Sequence, residues 1–274
     1  MPELPEVEYV RRQLRRAMTG ARIDQVVLRR ANLRVPFSTD FAERLEGRTV
    51  RNVRRRAKYL LVELSSDDVL VMHLGMSGWF NIQRPPGGSP VDPLDKHDHV
   101  IFEMSNGRTV VFNDPRRFGF MKIIGGEDLA RDPVFAALGP EPLARAFTAQ
   151  VLATALAGRK TSLKVALLDQ GRVAGLGNIY ACEALHVARL SPKRRASTLV
   201  TRAGEPRAEA VALTRAIRLV LKDAIANRHR AAGDDRFRVY DHEGERCPRR
   251  GCAGTITRIV QAGRSTYFCP KCQR

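Results

Sequence analysis

Met1-Pro2-Glu3-Leu4-Pro5-Glu6-Val7-Glu8 opens the chain, and two readings of these eight residues organise everything after them. Pro5 suits the first turn of a helix, and Glu6 and Glu8 suit the positive end of its dipole. Val7, Val10, Leu14, Ala17 and Met18 continue at helical spacing, with Arg11, Arg12, Arg15 and Arg16 mostly off that stripe, so an amphipathic helix is predicted. The same residues also set an amine beside a carboxylate. Removal of Met1 leaves Pro2 with a free nitrogen. An α-amino group, with a pKa of roughly 8, is unprotonated near neutral pH far more often than lysine at about 10.4. Glu3 is then placed to move a proton. Taken alone, the stretch is more simply a capped helix, and the rest of the chain must decide.

With 274 residues the chain can bury more than one core, so two domains plus an appendage are expected. The net charge is +18, spread along the whole length, so the folded surface itself should be basic and its partner polyanionic, with nucleic acid favoured. No apolar run approaches the roughly 20 residues of a spanning helix, and no charged segment plus apolar run precedes a cleavage site, so no membrane partner is expected. Four of the five cysteines fall between 247 and 272, which points to a reducing cytoplasm and a metal site instead of disulfides.

The first half reads as β structure. Short apolar or alternating runs at 23–28, 50–56, 59–64, 69–74, 100–104, 109–112 and 118–124 are separated by turn signals such as Ser65-Ser66-Asp67-Asp68 and Asn106-Gly107. Many short strands with tight turns imply a sandwich or barrel. A Pro/Gly/Ser/Asp stretch at 85–93 reads as an exposed, mobile loop.

Three places there look wrong for plain structure. Lys58 sits at a junction of two strands, where a cation can line a phosphate groove. The Gly-bracketed His73-Leu74-Gly75-Met76-Ser77-Gly78 pushes Met76 outward, and Asn113-Asp114-Pro115-Arg116-Arg117-Phe118-Gly119 does the same for Arg116, Arg117 and Phe118. Apolar tips beside arginines suit a protein that wedges into a base stack, although a lone Met or Phe in a strand turn is more often a core plug.

From 132 to 142 a Pro/Gly-punctuated segment reads as a linker, and helical patterns follow. A short helix is predicted over 151–157. Thr161-Ser162 is expected to cap a second through Leu163 to Leu168, and the glycine-rich 169–177 turn opens a third from Asn178 to about Ala188. Backbone amides at that start can bind a phosphate, with Asn178 adding a donor. A long helix over 206–227 closes the domain. In the tail, Cys247, Cys252, Cys269 and Cys272 have the paired spacing of a four-thiolate zinc site, and 255–261 and 264–268 read as a hairpin turned at Ala262-Gly263. Such a module is too small for its own core, so one structural Zn2+ would hold it folded, with Arg264 at the tip free to reach a phosphate. Cys182 stands apart and reads as an ordinary buried thiol.

Met1 to Glu8, Arg55 to Leu61, His73 to Gly78, Lys96-His97-Asp98-His99, Asp114 to Gly119, Leu138-Gly139-Pro140-Glu141-Pro142, Gly175 to Ala181 and the cysteine finger together resemble the formamidopyrimidine-DNA glycosylases, from Pro2 to Cys272. The resemblance implies an α+β multidomain protein: an N-terminal β-sandwich with an N-terminal helix (1–131), a linker and helix-two-turns-helix domain (132–240), and a C-terminal zinc-finger β-hairpin (241–274). It implies a bifunctional glycosylase and abasic-site lyase that acts on double-stranded DNA with oxidised bases or abasic sites, as a monomer, in the bacterial cytoplasm and on the nucleoid when bound. Position by position, it makes Pro2 the nucleophile on the sugar C1′ and Glu3 the acid that helps open the sugar. Lys58 and Arg264 join that catalytic set. Met76, Arg116 and Phe118 resemble the void-filling residues, Arg116 facing the orphaned cytosine. Asn178 and Arg264 match phosphate contacts, Lys164 a residue near the flipped purine, and His99 and Arg117 further DNA contacts.

The family usually carries an extended Gly-rich loop over the flipped 8-oxoguanine, whereas 228–236 is short here, so formamidopyrimidines or abasic sites are expected to be processed better than 8-oxoguanine. Two rivals differ in class. An endonuclease VIII-like enzyme for oxidised pyrimidines tends to have Glu-Gly-Pro where Glu3-Leu4-Pro5 stands. A non-catalytic zinc-ribbon DNA-binding protein would have no use for a free Pro2.

Overall fold

The computed structural model describes residues 2–83, 95–227 and 237–274. Met1, the loop expected at 85–93 and the short connection expected at 228–236 lie outside the described residues. The chain forms two compact units, 1–136 and 137–274.

In the first unit, helix α1 (Leu4–Met18) buries Leu4, Pro5, Val7, Val10, Leu14, Ala17 and Met18, the stripe expected from spacing. It starts one residue before Pro5, because Glu3 takes the N-cap. The Glu3 backbone N–H donates to the Glu6 carboxylate at 2.9 Å in a capping box, so local chemistry fixes where the helix begins. Among the described residues eight strands follow: β1 (Ile23–Leu28), β2 (Val50–Arg56), β3 (Tyr59–Leu64), β4 (Asp68–His73), β5 (Trp79–Gln83), β6 (Asp98–Met104), β7 (Thr109–Asn113) and β8 (Phe120–Gly125). They form two antiparallel four-stranded sheets, ordered β1-β6-β7-β5 and β2-β3-β4-β8. Between them lie Val62, Leu70, Met72, Phe102, Val110 and Phe112, with Val7, Val10 and Leu14 of α1 in the same cluster. This is the expected sandwich.

Four details depart from the sequence reading. Strand β5 was not expected; Phe80 is buried and Ile82 packs partly against the core, an alternation of only two core-facing positions that is too short to mark a strand by itself. Strand β8 begins at Phe120 instead of 118, because the Gly119 N–H is taken by the Asp114 carboxylate at 2.8 Å and leaves Phe118 outside the ladder. Helix α2 (Phe41–Leu45), also unexpected, is too short to show periodicity, yet Phe41 and Leu45 sit one turn apart and both enter the core. A one-turn helix α3 (Pro133–Ala136) lies within the stretch read as a linker.

In the second unit, α4 (Ala149–Leu156) starts two residues earlier than expected because the Thr148 hydroxyl caps it, accepting from the Val151 N–H at 3.3 Å. Helix α5 (Leu163–Leu168) has Ser162 at its N-cap, but the side chain makes no capping bond; its Oγ instead accepts from Gln261 Nε2 at 3.1 Å. Helix α6 (Asn178–Ala188) follows the glycine-rich turn as expected, and α7 (Ala208–Asn227) begins two residues after Pro206. Strands β9 (Thr257–Gln261) and β10 (Arg264–Phe268) pair as a hairpin, with both turn residues at positive φ, Ala262 at 48° and Gly263 at 71°. The first strand starts at 257 instead of 255 because Thr255 bridges Arg246.

Cys182 does not stand apart in space. It clusters with Val239, Ile256, Tyr267 and the sulfurs of Cys247, Cys252 and Cys269. Next to it, the buried Glu183 carboxylate accepts the backbone N–H groups of Arg238, Val239 and Tyr240 at 2.9, 2.9 and 3.0 Å. One α6 side chain therefore pins the segment leading into the finger. Among the described residues no helix is long and apolar enough to cross a membrane.

Candidate functional site

Pro2 is half-buried and Glu3 only 2% exposed, directly before the first turn of α1. The helix dipole makes this the positive end of the helix, and the capping box of Glu3 and Glu6 satisfies its first-turn donors.

Lys58 is buried in the turn between β2 and β3, where Ala57 takes φ 50°. An ion-pair network ties this turn to α1. The Glu8 carboxylate accepts from Arg11 at 2.8 Å, Arg12 at 3.1 Å and Arg55 at 3.3 Å, and Arg55 in turn donates to the Ala57 carbonyl at 2.8 Å. Burial works against ionisation of Glu8, but the hydrogen bonds and charges of these arginines hold its pKa below the usual carboxylate value. The opening helix and the Lys58 turn are thus braced together by charges.

The two turns singled out for wedge residues are also one unit. Gly75 has φ 63°, and a Cβ there would run into the Phe118–Gly119 backbone; a Cβ on Gly119 would meet the His73 carbonyl and the Phe112 ring, both at 2.9 Å. Only glycine permits so close an approach. Met76 is 39% and Phe118 43% exposed, and the Arg116 guanidinium lies 4.6 Å from the Phe118 ring centre. These are exposed tips and not core plugs. His73 supports the first turn: its Nδ1 accepts from the Gly75 N–H at 3.0 Å, and its ring stacks on Phe120 at 5.6 Å. Burial, then the charges of Lys58 and Arg34, push its pKa down to about 4, so it stays a neutral acceptor at physiological pH.

Asp114 joins the two turns, and sequence reading missed that role. Fully buried, it accepts from the Ser77 hydroxyl at 2.6 Å and the Gly119 N–H at 2.8 Å, while its carbonyl meets His99 Nε2 at 2.9 Å and the Arg117 N–H at 3.1 Å. His99 therefore sits beneath the loop, buried and with a pKa lowered chiefly by that burial. Arg117 is exposed with φ 53°, and its Nη1 donates to Asn32 at 3.4 Å. Asp114→Ala strands the Ser77 and Gly119 donors, so it should cost about 3 kcal/mol at roughly 1.5 kcal/mol or more per charge-assisted bond. Urea unfolding measures this, and a loss below about 1 kcal/mol would remove Asp114 from the role.

In the second unit, Asn178 Nδ2 donates to the Ser265 carbonyl at 2.9 Å, and the fully buried Lys164 reaches the same oxygen with Nζ at 3.4 Å. Ser265 follows Arg264, so the three residues expected near phosphate and purine converge on one strand of the hairpin. Asn178 Oδ1 is buried without a partner. The turn before α6 is organised by Gln170, another residue the sequence did not reveal: its Oε1 accepts the Gly175 N–H at 2.9 Å and its Nε2 donates to the Leu168 and Leu176 carbonyls at 3.0 and 2.9 Å.

The four finger sulfurs lie within 4.8 Å of one another, with Cys247–Cys272 at 3.9 Å and Cys252–Cys269 at 3.7 Å. A tetrahedral zinc with sulfur bonds of about 2.3 Å has edges of about 3.8 Å, so the donor set fits that ion. A Cβ on Gly254 would strike the Cys269 sulfur at 2.6 Å, so the loop carries glycine where it wraps the site. Burial pushes the Cys247 thiol up to about 12, so it ionises at neutral pH only against a strong positive charge such as a divalent cation.

Three family models match in register with this geometry: the formamidopyrimidine-DNA glycosylase N-terminal domain over 1–121, the H2TH domain of the same enzymes over 138–234, and the zinc finger found in FPG and IleRS over 244–274. The chain belongs to the formamidopyrimidine-DNA glycosylase family. It is 56% identical over 293 aligned positions to the formamidopyrimidine-DNA glycosylase of Bradyrhizobium sp. strain BTAi1, and 55% to that of Rhodopseudomonas palustris strain BisA53, with each chain covered in full. Its fold is similar to that of the Lactococcus lactis formamidopyrimidine-DNA glycosylase bound non-covalently to DNA containing an abasic site (TM-score 0.86, 30% identity). It is also similar to MutM in complex with DNA carrying carbocyclic 8-oxoguanine (TM-score 0.85, 31% identity), again with each chain covered in full in both cases. The cysteine cluster holds one structural Zn2+.

Proposed function

We propose that the protein is a base-excision DNA glycosylase and abasic-site lyase that removes oxidised purines, formamidopyrimidines and 8-oxoguanine, from double-stranded DNA in the bacterial cytoplasm. The observation that carries this reading is the pairing of Pro2 with the buried Glu3 at the positive end of α1. Once Met1 is removed, the Pro2 amine attacks C1′ of the damaged nucleotide while Glu3 donates a proton that helps open the sugar, and the base departs. The resulting iminium draws electrons from C2′, a proton leaves there, and the 3′ phosphate is expelled; a second elimination expels the 5′ phosphate. Lys58 neutralises phosphate charge beside the reacting sugar. The target carbon is out of reach inside a duplex, so the nucleotide must be extruded at a cost of about a few kcal/mol. Met76, Phe118 and Arg116 offset that cost by filling the vacated stack, with Arg117 and His99 supporting their loop. Asn178 and Arg264 hold the strand, Lys164 lies near the flipped purine, and the zinc keeps Arg264 in place.

We divide the chain into a catalytic sandwich over 1–131, a linker and helix-two-turns-helix domain over 132–240 and the finger over 241–274. Lesion choice is where this protein should differ from its relatives. The Bradyrhizobium relative aligns over 293 positions, 19 more than the 274 residues here, which supports a shortened chain. Base release from duplexes carrying formamidopyrimidine-guanine, 8-oxoguanine or thymine glycol tests the reading. Formamidopyrimidine is expected to be released fastest and 8-oxoguanine more slowly. Preferential release of thymine glycol would instead place the protein with the pyrimidine-specific enzymes.

A further inference from the structure

Behind the finger, at the opposite end of the hairpin from Arg264, an open cleft of about 500 Å³ is lined by Arg189, Arg249, Arg250, Lys271 and Arg274. Five residue steps along the strand separate Arg264 from Cys269, roughly 17 Å at the usual rise, so this cleft and the Lys164–Asn178–Arg264 cluster cannot share one phosphate.

No carboxylate side chain lines the cleft, and among the described residues Arg189, Arg250, Lys271 and Arg274 form no ion pair. Arg249 is partly committed: it donates to the α6 carbonyls of His186 and Val187, yet its Nε is buried without a partner. Balancing a zinc tetrathiolate accounts for two of the five charges. Three remain, or two with a terminal carboxylate on Arg274, in a concave site where cations are held close against their own repulsion. Backbone pairing holds them there, since the Arg274 N–H donates to the Arg189 carbonyl at 3.1 Å and the Ser191 N–H to the Arg274 oxygen at 2.9 Å. Guanidinium forks suit phosphate oxygens.

We propose that this cleft is a second phosphate-binding site, which takes the backbone of a DNA segment other than the one held at the lesion; it rests on the reading of the protein as a DNA enzyme. Two contacted phosphates contribute about −1.8 to the logarithmic salt slope. The test uses the full-length, zinc-loaded protein saturated with a short duplex carrying a tetrahydrofuran abasic analogue, then titrated with a fluorescent undamaged duplex over a range of salt. Wild-type protein is expected to bind the second duplex. Arg250→Gln/Lys271→Gln should weaken that binding about 10-fold and flatten its slope by about 2. Zinc content and borohydride trapping on an abasic duplex should be unchanged. Arg189→Gln, far from the cysteines in sequence, should act in the same direction and guards against a folding defect in the double variant. Equal second-duplex binding by wild type and variants overturns the site. Binding of sodium tripolyphosphate that the variants lose, with no second duplex bound, overturns the DNA assignment in favour of a free polyphosphate. Absence of any trapped adduct in wild type is a separate readout that sinks the lyase reading.

Discussion

Replacing Cys269 with alanine, or stripping the metal with a chelator, is expected to reduce affinity for an abasic-site duplex at least about 100-fold while leaving the sandwich folded. The finger's buried cluster is small: Val239, Ile256, Tyr267 and three cysteine sulfurs, leaning on Cys182 of α6. So little apolar surface cannot offset the entropy of ordering more than thirty residues, whereas a structural zinc contributes about 10 kcal/mol or more of folding free energy. With the metal gone, the hairpin loses its shape, Ser265 no longer receives Asn178 and Lys164, and Arg264 loses its position. Loss of two or three phosphate contacts and of the surface around them accounts for a factor of that size. Anisotropy with an uncleavable duplex measures it, alongside circular dichroism to confirm that the sandwich persists. Affinity within about threefold of wild type after metal removal would contradict the structural role.

Glu3→Gln is expected to lower the rate of base release by about 10²- to 10⁴-fold, the usual range for losing a general acid. The substitution is informative because it separates chemistry from folding. Glutamine keeps an oxygen that can accept from the first turn of α1, and the Glu3 N–H still reaches the Glu6 carboxylate, so the capping box survives. Stability should therefore change by less than about 1 kcal/mol. A preformed abasic site already opens spontaneously to its aldehyde, so strand cleavage there should fall much less than base release. If both substrates slowed equally, or if the variant unfolded, Glu3 would be a capping residue and no more.

Much of this was legible in the sequence because the signals were local. The stripe Val7, Val10, Leu14, Ala17, Met18 specified α1, Asn106-Gly107 specified the β6–β7 turn, and cysteine spacing specified the metal site. Strand β5 escaped because an edge strand of five residues offers only Phe80 and Ile82 as core-facing positions, and α2 because five residues hold barely more than one turn. Met76 and Phe118, proposed as wedges, were visible as exposed tips beside glycines, but what positions them was not. Asp114 acts on Ser77, 37 residues away, and Lys164 and Asn178 meet the Ser265 carbonyl across 101 and 87 residues. Partners that far apart become neighbours only through the fold.

The most direct test of the Pro2 nucleophile is borohydride trapping on an abasic duplex, with mass analysis of the linked peptide, using protein with Met1 removed and protein with Met1 retained. A covalent adduct on the Pro2-Glu3-Leu4 peptide, formed only when Met1 is absent, is the expected result. An adduct that forms equally well with Met1 in place, or that maps to Lys58, would contradict it.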